Sequence, residues 1–242
     1  MFKILCNTTI AMLLLLILPI TFWLLGWHWS PYKTDIKLIF LIMQTVNNPW
    51  VIFTNTVLNI WIFKCLHCKI KMTLGFFLIL NIAIFVGQPI KDFIKYKTQE
   101  TRPYVTWLEH KYRLNINKFY QFTPKKRGKI IANLIYNQNL PYWLKKHWIE
   151  ETDFSFPSGH TVFTNIWAIL IVYFLWPYRY YKTVITIFFW SFIITASRLL
   201  FGMHWIQDII AANILAWILA NIAIISIHYF FTDKNHKISD NR

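Results

Sequence analysis

Charge is scarce in this sequence, and negative charge scarcer still. Only 14% of the 242 residues are Asp, Glu, Lys or Arg. A soluble domain carries about a quarter, so an ordinary water-soluble globule is excluded. The acidic residues number 10 against 25 basic ones, a formal net charge of +15. That balance raises nucleic-acid binding, but no recognised nucleic-acid motif accompanies it. The cations sit mostly between apolar stretches, where bilayer orientation and contact with anionic lipid explain them better. No nucleic-acid partner is expected. Cysteine is rare too, with Cys6, Cys65 and Cys68 as the whole complement. Cys65-Leu66-His67-Cys68 looks like a metal or redox fragment, yet no second Cys/His pair lies at a distance that completes a zinc site. Internal repeats and low-complexity tracts are also missing.

What the chain has is apolar length: 56% of it is hydrophobic, 19% aromatic, and the mean hydropathy is +0.39. This composition predicts an all-α polytopic membrane protein with one compact core. Residues 5–27 read as a retained first helix, because no small-residue cleavage site follows the apolar run. Trp23, Gly26, Trp27 and Trp29 then read as an interfacial belt. The second apolar stretch, Leu38–Phe63, is interrupted at Asn47-Asn48-Pro49. Its membrane span is placed at 49–63, with the part before Pro49 at the surface. A third span covers 72–94, with Gly87-Gln88-Pro89 as an expected kink. Three more follow at 160–176, 183–200 and 205–231. Between the third and fourth lies a polar segment, 96–156, with Pro103, Pro124 and Pro141. It reads as a small extramembrane, mostly helical subdomain. The tail 232–242 reads as loose.

Six spans put both termini on one side. That side collects Lys3, Lys64, Lys69, Lys71, Arg179, Lys182, Lys234, Lys237 and Arg242, while the short connections opposite offer only Lys33 and Lys37. The positive-inside rule places the termini in the cytoplasm and exempts the long 96–156 segment.

Three polar clusters then fall on the outer face. In Ser197-Arg198-x5-His204-x3-Asp208, a helical backbone from His204 onward puts His204 and Asp208 one turn apart. The carboxylate can accept one ring N–H and leave the other nitrogen free to attack. In Pro157-Ser158-Gly159-His160, Ser158 is a candidate N-cap, and the free N–H groups of a helix start favour an anion. The third cluster is Lys95-x6-Arg102-Pro103. Ionisable groups at membrane depth are functional candidates by default. Three cations, two imidazoles and a helix start arriving at one face suit a dianionic phosphoryl group, whose transfer depends on positioning and charge stabilisation.

Together these clusters match the three-part signature of the type 2 phosphatidic acid phosphatase superfamily, which vanadium haloperoxidases share. Within it the chain resembles the bacterial phosphatidylglycerophosphatases over nearly its full length, through Gly26-Trp27-His28-Trp29, Val86-Gly87-Gln88, Gln99-Glu100-Thr101-Arg102-Pro103 and Leu199-Leu200-Phe201-Gly202-Met203-His204-Trp205. The resemblance implies that His204 is the nucleophile, forming a phosphohistidine, with Asp208 holding its ring. It implies that His160 is the general acid and then the base, and that Lys95, Arg102, Ser158, the Gly159 amide and Arg198 hold the phosphoryl oxygens. It implies no metal and no cofactor, consistent with a site of many cations and one carboxylate.

The expected activity is therefore metal-independent dephosphorylation of phosphatidylglycerophosphate, phosphatidate or undecaprenyl pyrophosphate at the outer face of a bacterial cytoplasmic membrane. The expected partners are lipid phosphates and the bilayer, with no obligate protein partner. A lipid phosphotransferase using the same site is the rival within the family. A non-catalytic scaffold or a transporter is the rival of another class, disfavoured because every chemical position is filled.

Overall fold

The computed structural model describes residues 2–31, 36–66 and 70–231, and among them every regular element is helical. Where no water can bond the backbone, each N–H and C=O must be satisfied within its own segment, which forces long apolar runs into helices. In chain order these are α1 (Phe2–Leu24), α2 (Lys37–Met43), α3 (Trp50–Leu66), α4 (Ile70–Thr98), α5 (Pro103–Tyr112), α6 (Ile116–Gln121), α7 (Pro124–Ile135), α8 (Tyr142–Glu150), α9 (Gly159–Leu175), α10 (Tyr181–Leu200) and α11 (Ile206–Phe231). His67 and Cys68 of the cysteine fragment, Lys33, Lys69 and the tail 232–242 lie outside the described residues.

Helices α1, α4, α10 and α11 are long and apolar enough to cross a membrane, and α2 with α3 makes a fifth span if that bent pair counts as one. Helix α9 has 17 residues, about 26 Å of axis, shorter than the roughly 30 Å of a hydrocarbon core. It is also the most enclosed helix. Every residue from Thr161 to Ile171 is buried, with α1, α3, α4, α10 and α11 packed around it. A helix apolar on all sides belongs in the interior, and a helix enclosed by others, four of them longer, need not match the bilayer by itself.

Two details depart from the expected boundaries. Helix α4 runs on through Pro89 to Thr98, so Lys95 sits in its last turns rather than beyond the span. The second apolar stretch does break at Asn47-Asn48-Pro49, where proline removes a donor and restricts its neighbour. There the chain turns through 73°. Before the break, α2 packs along α10 and buries Met43, while Leu38 and Leu41 on it stay exposed. Side chains satisfy the broken backbone. Thr54 donates to the Thr45 carbonyl at 2.7 Å and Trp190 Nε1 to Thr45 Oγ1 at 3.1 Å.

Between the helices runs a set of buried polar bonds. Thr8 donates to Asn221 at 2.9 Å, Ser191 to Asn165 at 2.6 Å, Asn165 to Asn213 at 2.8 Å, and Asn213 to the Met12 carbonyl at 3.0 Å. Each ties two of α1, α9, α10 and α11 together. In a membrane such bonds contribute about 0.6 kcal/mol each on average, so their joint effect is to fix register more than to add stability.

A second apolar core is separate from that of the long helices. Tyr104, Val105, Leu108, Phe119, Ile131, Leu144 and Trp148 come from α5 to α8, and Phe201 and Met203 enter it from the α10–α11 connection. Tyr104 stacks on Trp148 with ring centroids 4.9 Å apart. The segment between α4 and α9 is therefore the packing partner of the loop that carries His204.

Candidate active site

The α10–α11 connection has to reverse direction and present an imidazole, and it is pinned from several sides. Gly202 has φ +67°, and a Cβ there would lie 2.4 Å from the Trp29 ring. Backbone conformation and space both demand glycine. Trp29 Nε1 donates to the Leu200 carbonyl at 3.0 Å and Trp148 Nε1 to the Phe201 carbonyl at 2.9 Å. The amides of Met203 and His204 both donate to the Arg198 carbonyl at 3.1 Å. Trp29, expected in an interfacial belt, is thus a clamp on this loop.

His204, 2% exposed, emerges just before α11. Its Nδ1 lies 3.3 Å from Asp208 Oδ2, and the same oxygen accepts the Trp205 N–H at 2.8 Å. A carboxylate three residues into a helix that reaches back to the preceding amide is half of a capping box, so the fold of the helix start also orients the carboxylate. Ser155 joins them. Its hydroxyl donates to Asp208 Oδ2 and lies 3.3 Å from His204 Nδ1. With Nδ1 enclosed, Nε2 is the ring nitrogen left for chemistry. Burial, with Arg102, Arg198 and Lys95 adding to it against Glu151, holds the His204 imidazole well below its usual range, hence neutral.

The cations converge on a residue that the sequence reasoning did not single out. Glu151, just past α8, takes Arg198 Nη2 at 2.7 Å and Arg102 Nη1 at 3.3 Å on one carboxylate oxygen. Its other oxygen lies 3.7 Å from His147 Nε2 and 3.8 Å from His160 Nε2. Burial opposes its ionisation, but Arg198, His147, His160 and Arg102 outweigh that and keep the carboxyl well below the usual range. His147 accepts from Arg198 Nη1 at 3.1 Å. Burial first, then the two guanidinium groups against Glu151, bring its pKa down to about 4, so it is a neutral acceptor. Arg102 Nε donates to the Asp153 carbonyl at 2.7 Å, and Lys95 Nζ to the Phe154 carbonyl at 2.6 Å. The segment just before the Pro157-Ser158-Gly159-His160 cluster thus collects two of the three cations.

At the start of α9, Ser158 is the N-cap, accepting from Thr161 N at 3.5 Å and Thr161 Oγ1 at 3.0 Å. Its hydroxyl is fully buried and engaged by the cap. His160 faces the opposite wall, with Nε2 2.5 Å from Asn47 Oδ1 in the α2–α3 break.

A cavity of about 690 Å³ joins these parts, lined on its polar side by Lys95, Arg102, Glu151, Gly159, His160 and His204. Its other walls are Val51 and Ile52 of α3 and Ile84 and Phe85 of α4. Ser158, Arg198 and Asp208 stand behind the lining. The residues expected from three regions of sequence therefore gather around one cavity, five of them on its surface and three supporting it. Among the described residues, no group of three or more His, Cys, Asp or Glu is placed to hold a metal ion. Missed in the sequence were Glu151, His147, Ser155 and Asn47. Glu151 carried no local signal, for the arginines it meets, Arg102 and Arg198, lie 49 and 47 positions away. His147 and Asn47 carried none, because their positions depend on packing.

Comparison with known proteins gives the family. Residues 72–232 match the PAP2 superfamily. The chain is 39% identical over 220 residues to phosphatidylglycerophosphatase B of Escherichia coli (strain K12), covering 90% of this chain and 87% of that protein. It is 30% identical over 219 residues to phosphatidylglycerophosphatase B of Haemophilus influenzae, covering 87% and 90%. With a family match over most of its length and relatives aligned nearly end to end, the chain belongs to the PAP2 superfamily.

Proposed function

We propose that the chain is a metal-independent lipid phosphate phosphatase working through a phosphohistidine at His204. The observation that carries this reading is the cavity, which is lined by His204, His160 and the three cations Lys91, Lys95 and Arg102, and also by apolar α3 and α4 side chains. A phosphate monoester fits the polar lining and an acyl or prenyl chain the apolar one, with the chain never leaving hydrocarbon. Phosphatidylglycerophosphate, the lipid implied by the name phosphatidylglycerophosphatase B that the relatives carry, is the leading substrate, with phosphatidate and undecaprenyl pyrophosphate as further ones.

In the first step His204 Nε2 forms a bond to phosphorus while the phosphorus–oxygen bond to the leaving group breaks. His160 delivers a proton to that oxygen. In the second step water attacks the phosphohistidine, His160 takes its proton, and inorganic phosphate leaves with His204 neutral again. Lys95, Arg102 and Arg198, with the Gly159 amide, stabilise charge on the phosphoryl oxygens. Ser158 acts by capping α9, which aims those amides. Glu151 bridges the two guanidinium groups, so a dianion that binds between them displaces its carboxylate.

Purified protein should release inorganic phosphate from a panel of lipid phosphates at an undiminished rate in EDTA. Turnover that vanishes with chelation and returns with Mg²⁺ would sink the metal-free mechanism.

The reading also places six spans in the bacterial cytoplasmic membrane, with α5 to α8 and the cavity mouth on the outer side. In intact cells, an impermeant maleimide should label a Gln121→Cys variant at the engineered site and leave Cys65 unmodified. The opposite pattern overturns the orientation.

A further inference from the structure

The break between α2 and α3 precedes the residues 72–232 that match the superfamily, and the chemistry above gives it no part. It nevertheless puts a side chain on the general acid. Asn47 Oδ1 lies 2.5 Å from His160 Nε2. A carboxamide offers a donor on one side and an acceptor on the other, so its surroundings decide which faces the ring. Its second partner is Gln44, whose Oε1 accepts Asn47 Nδ2 at 3.1 Å. Gln44 holds Asn47 in place with the amide nitrogen toward Gln44 and the oxygen toward His160, and since Gln44 can present either end of its own amide, the choice rests on the ring's other neighbour. The Glu151 carboxylate, 3.8 Å from the same ring nitrogen, favours a proton there. Nε2 then carries the proton, and Nδ1 is the nitrogen left to exchange one.

We propose that Asn47, held by Gln44, is a positioning residue for His160. This rests on the reading of His160 as general acid and base. The site would then orient its two histidines differently. His204, a nucleophile, faces the carboxylate of Asp208, which supports the positive charge that develops on attack. His160 must give its proton away, and a neutral amide fixes its tautomer without holding the proton as a carboxylate does. The break supplies what this needs. A helix carried straight through residue 47 would point its side chains by helical periodicity, whereas the turn held by Thr45, Thr54 and Trp190 sets Asn47 independently.

The test compares the purified full chain with Asn47→Leu, Gln44→Leu, Asn47→Asp and His160→Ala on two substrates. Phosphatidate has an alkoxide leaving group that needs a proton, and para-nitrophenyl phosphate has one that does not. The ratio of the two kcat values within one preparation cancels any difference in the amount of folded protein. Removing the hydrogen-bond partner that orients a metal-ligating histidine costs about 10–100-fold, and the same scale is taken for a partner that orients a catalytic one. Asn47→Leu should lose that much on phosphatidate and far less on para-nitrophenyl phosphate, with little change in KM. Gln44→Leu should lose less in the same sense, and Asn47→Asp, which keeps an acceptor for the ring N–H but holds the proton, should fall between Asn47→Leu and the unaltered chain. An unchanged ratio in Asn47→Leu overturns the proposal, whether both rates fall or neither does. If His160→Ala shifts the ratio and Asn47→Leu does not, only the role of Asn47 is lost. If His160→Ala leaves the ratio unchanged, the general-acid reading falls and this proposal falls with it.

Discussion

His204→Ala is expected to abolish phosphate release and to leave no acid-labile phosphate on the protein. His204 lies on the cavity wall, buried and held neutral, with Asp208 at Nδ1 so that Nε2 is free for attack. Without it no covalent intermediate forms, and the remaining cations can only stabilise direct attack by water. Uncatalysed phosphate-monoester hydrolysis is so slow that enzymes supply up to ~10²¹-fold, and partial charge stabilisation leaves almost nothing measurable. Trapping from radiolabelled substrate checks this, and label retained on the variant would show that the nucleophile lies elsewhere. The same environment predicts a pH dependence. Burial and the neighbouring cations hold the imidazole well below its ordinary range. A base with a lowered pKa stays unprotonated to lower pH, so the acid limb of kcat/KM that belongs to His204 should lie well below the ordinary imidazole value. A limb at or above that value would mean that the cations do not act on the nucleophile.

His160→Ala should fail differently. It removes proton transfer, worth roughly 10²–10⁴-fold, or about 2.7–5.4 kcal/mol at 1.36 kcal/mol per tenfold. The loss should be severe where an alkoxide must depart, as from phosphatidate, and mild for a pyrophosphate or a nitrophenolate. The intermediate should still form with the good leaving groups, because His204 is untouched. Rates measured over a series of leaving groups decide it, and a flat penalty across the series would remove His160 from the acid role.

The three-part signature was legible because its chemistry needs particular residue types at fixed separations. One helical turn sets His204 to Asp208, one cap sets Ser158 to the start of α9, and a short connection sets Lys95 to Arg102. Those are local relations. Glu151, Ser155, His147 and Asn47 reach the site through contacts with residues dozens of positions or more away, such as the 113 positions between Asn47 and His160. No local pattern marks them. Span boundaries were equally uneven. The apolar run of α11 is long and unbroken, so its ends were easy to place. The second stretch held two elements and a 73° turn, because Pro49 can end a helix without saying where the chain goes next.

By itself, then, the sequence determined that long apolar runs become helices, that Gly202 makes a turn, and that phosphate-binding residue types occur at helix starts and ends. These follow from backbone hydrogen bonding without water, from the freedom of a residue lacking Cβ, and from the open N–H groups of a helix terminus. Only the tertiary structure decided that Trp29 and Trp148 clamp the His204 loop, that Glu151 joins the two arginines, and that the α2–α3 break meets His160. Each is a contact between side chains whose distance is set by how helices pack, and packing is a property of all the faces at once.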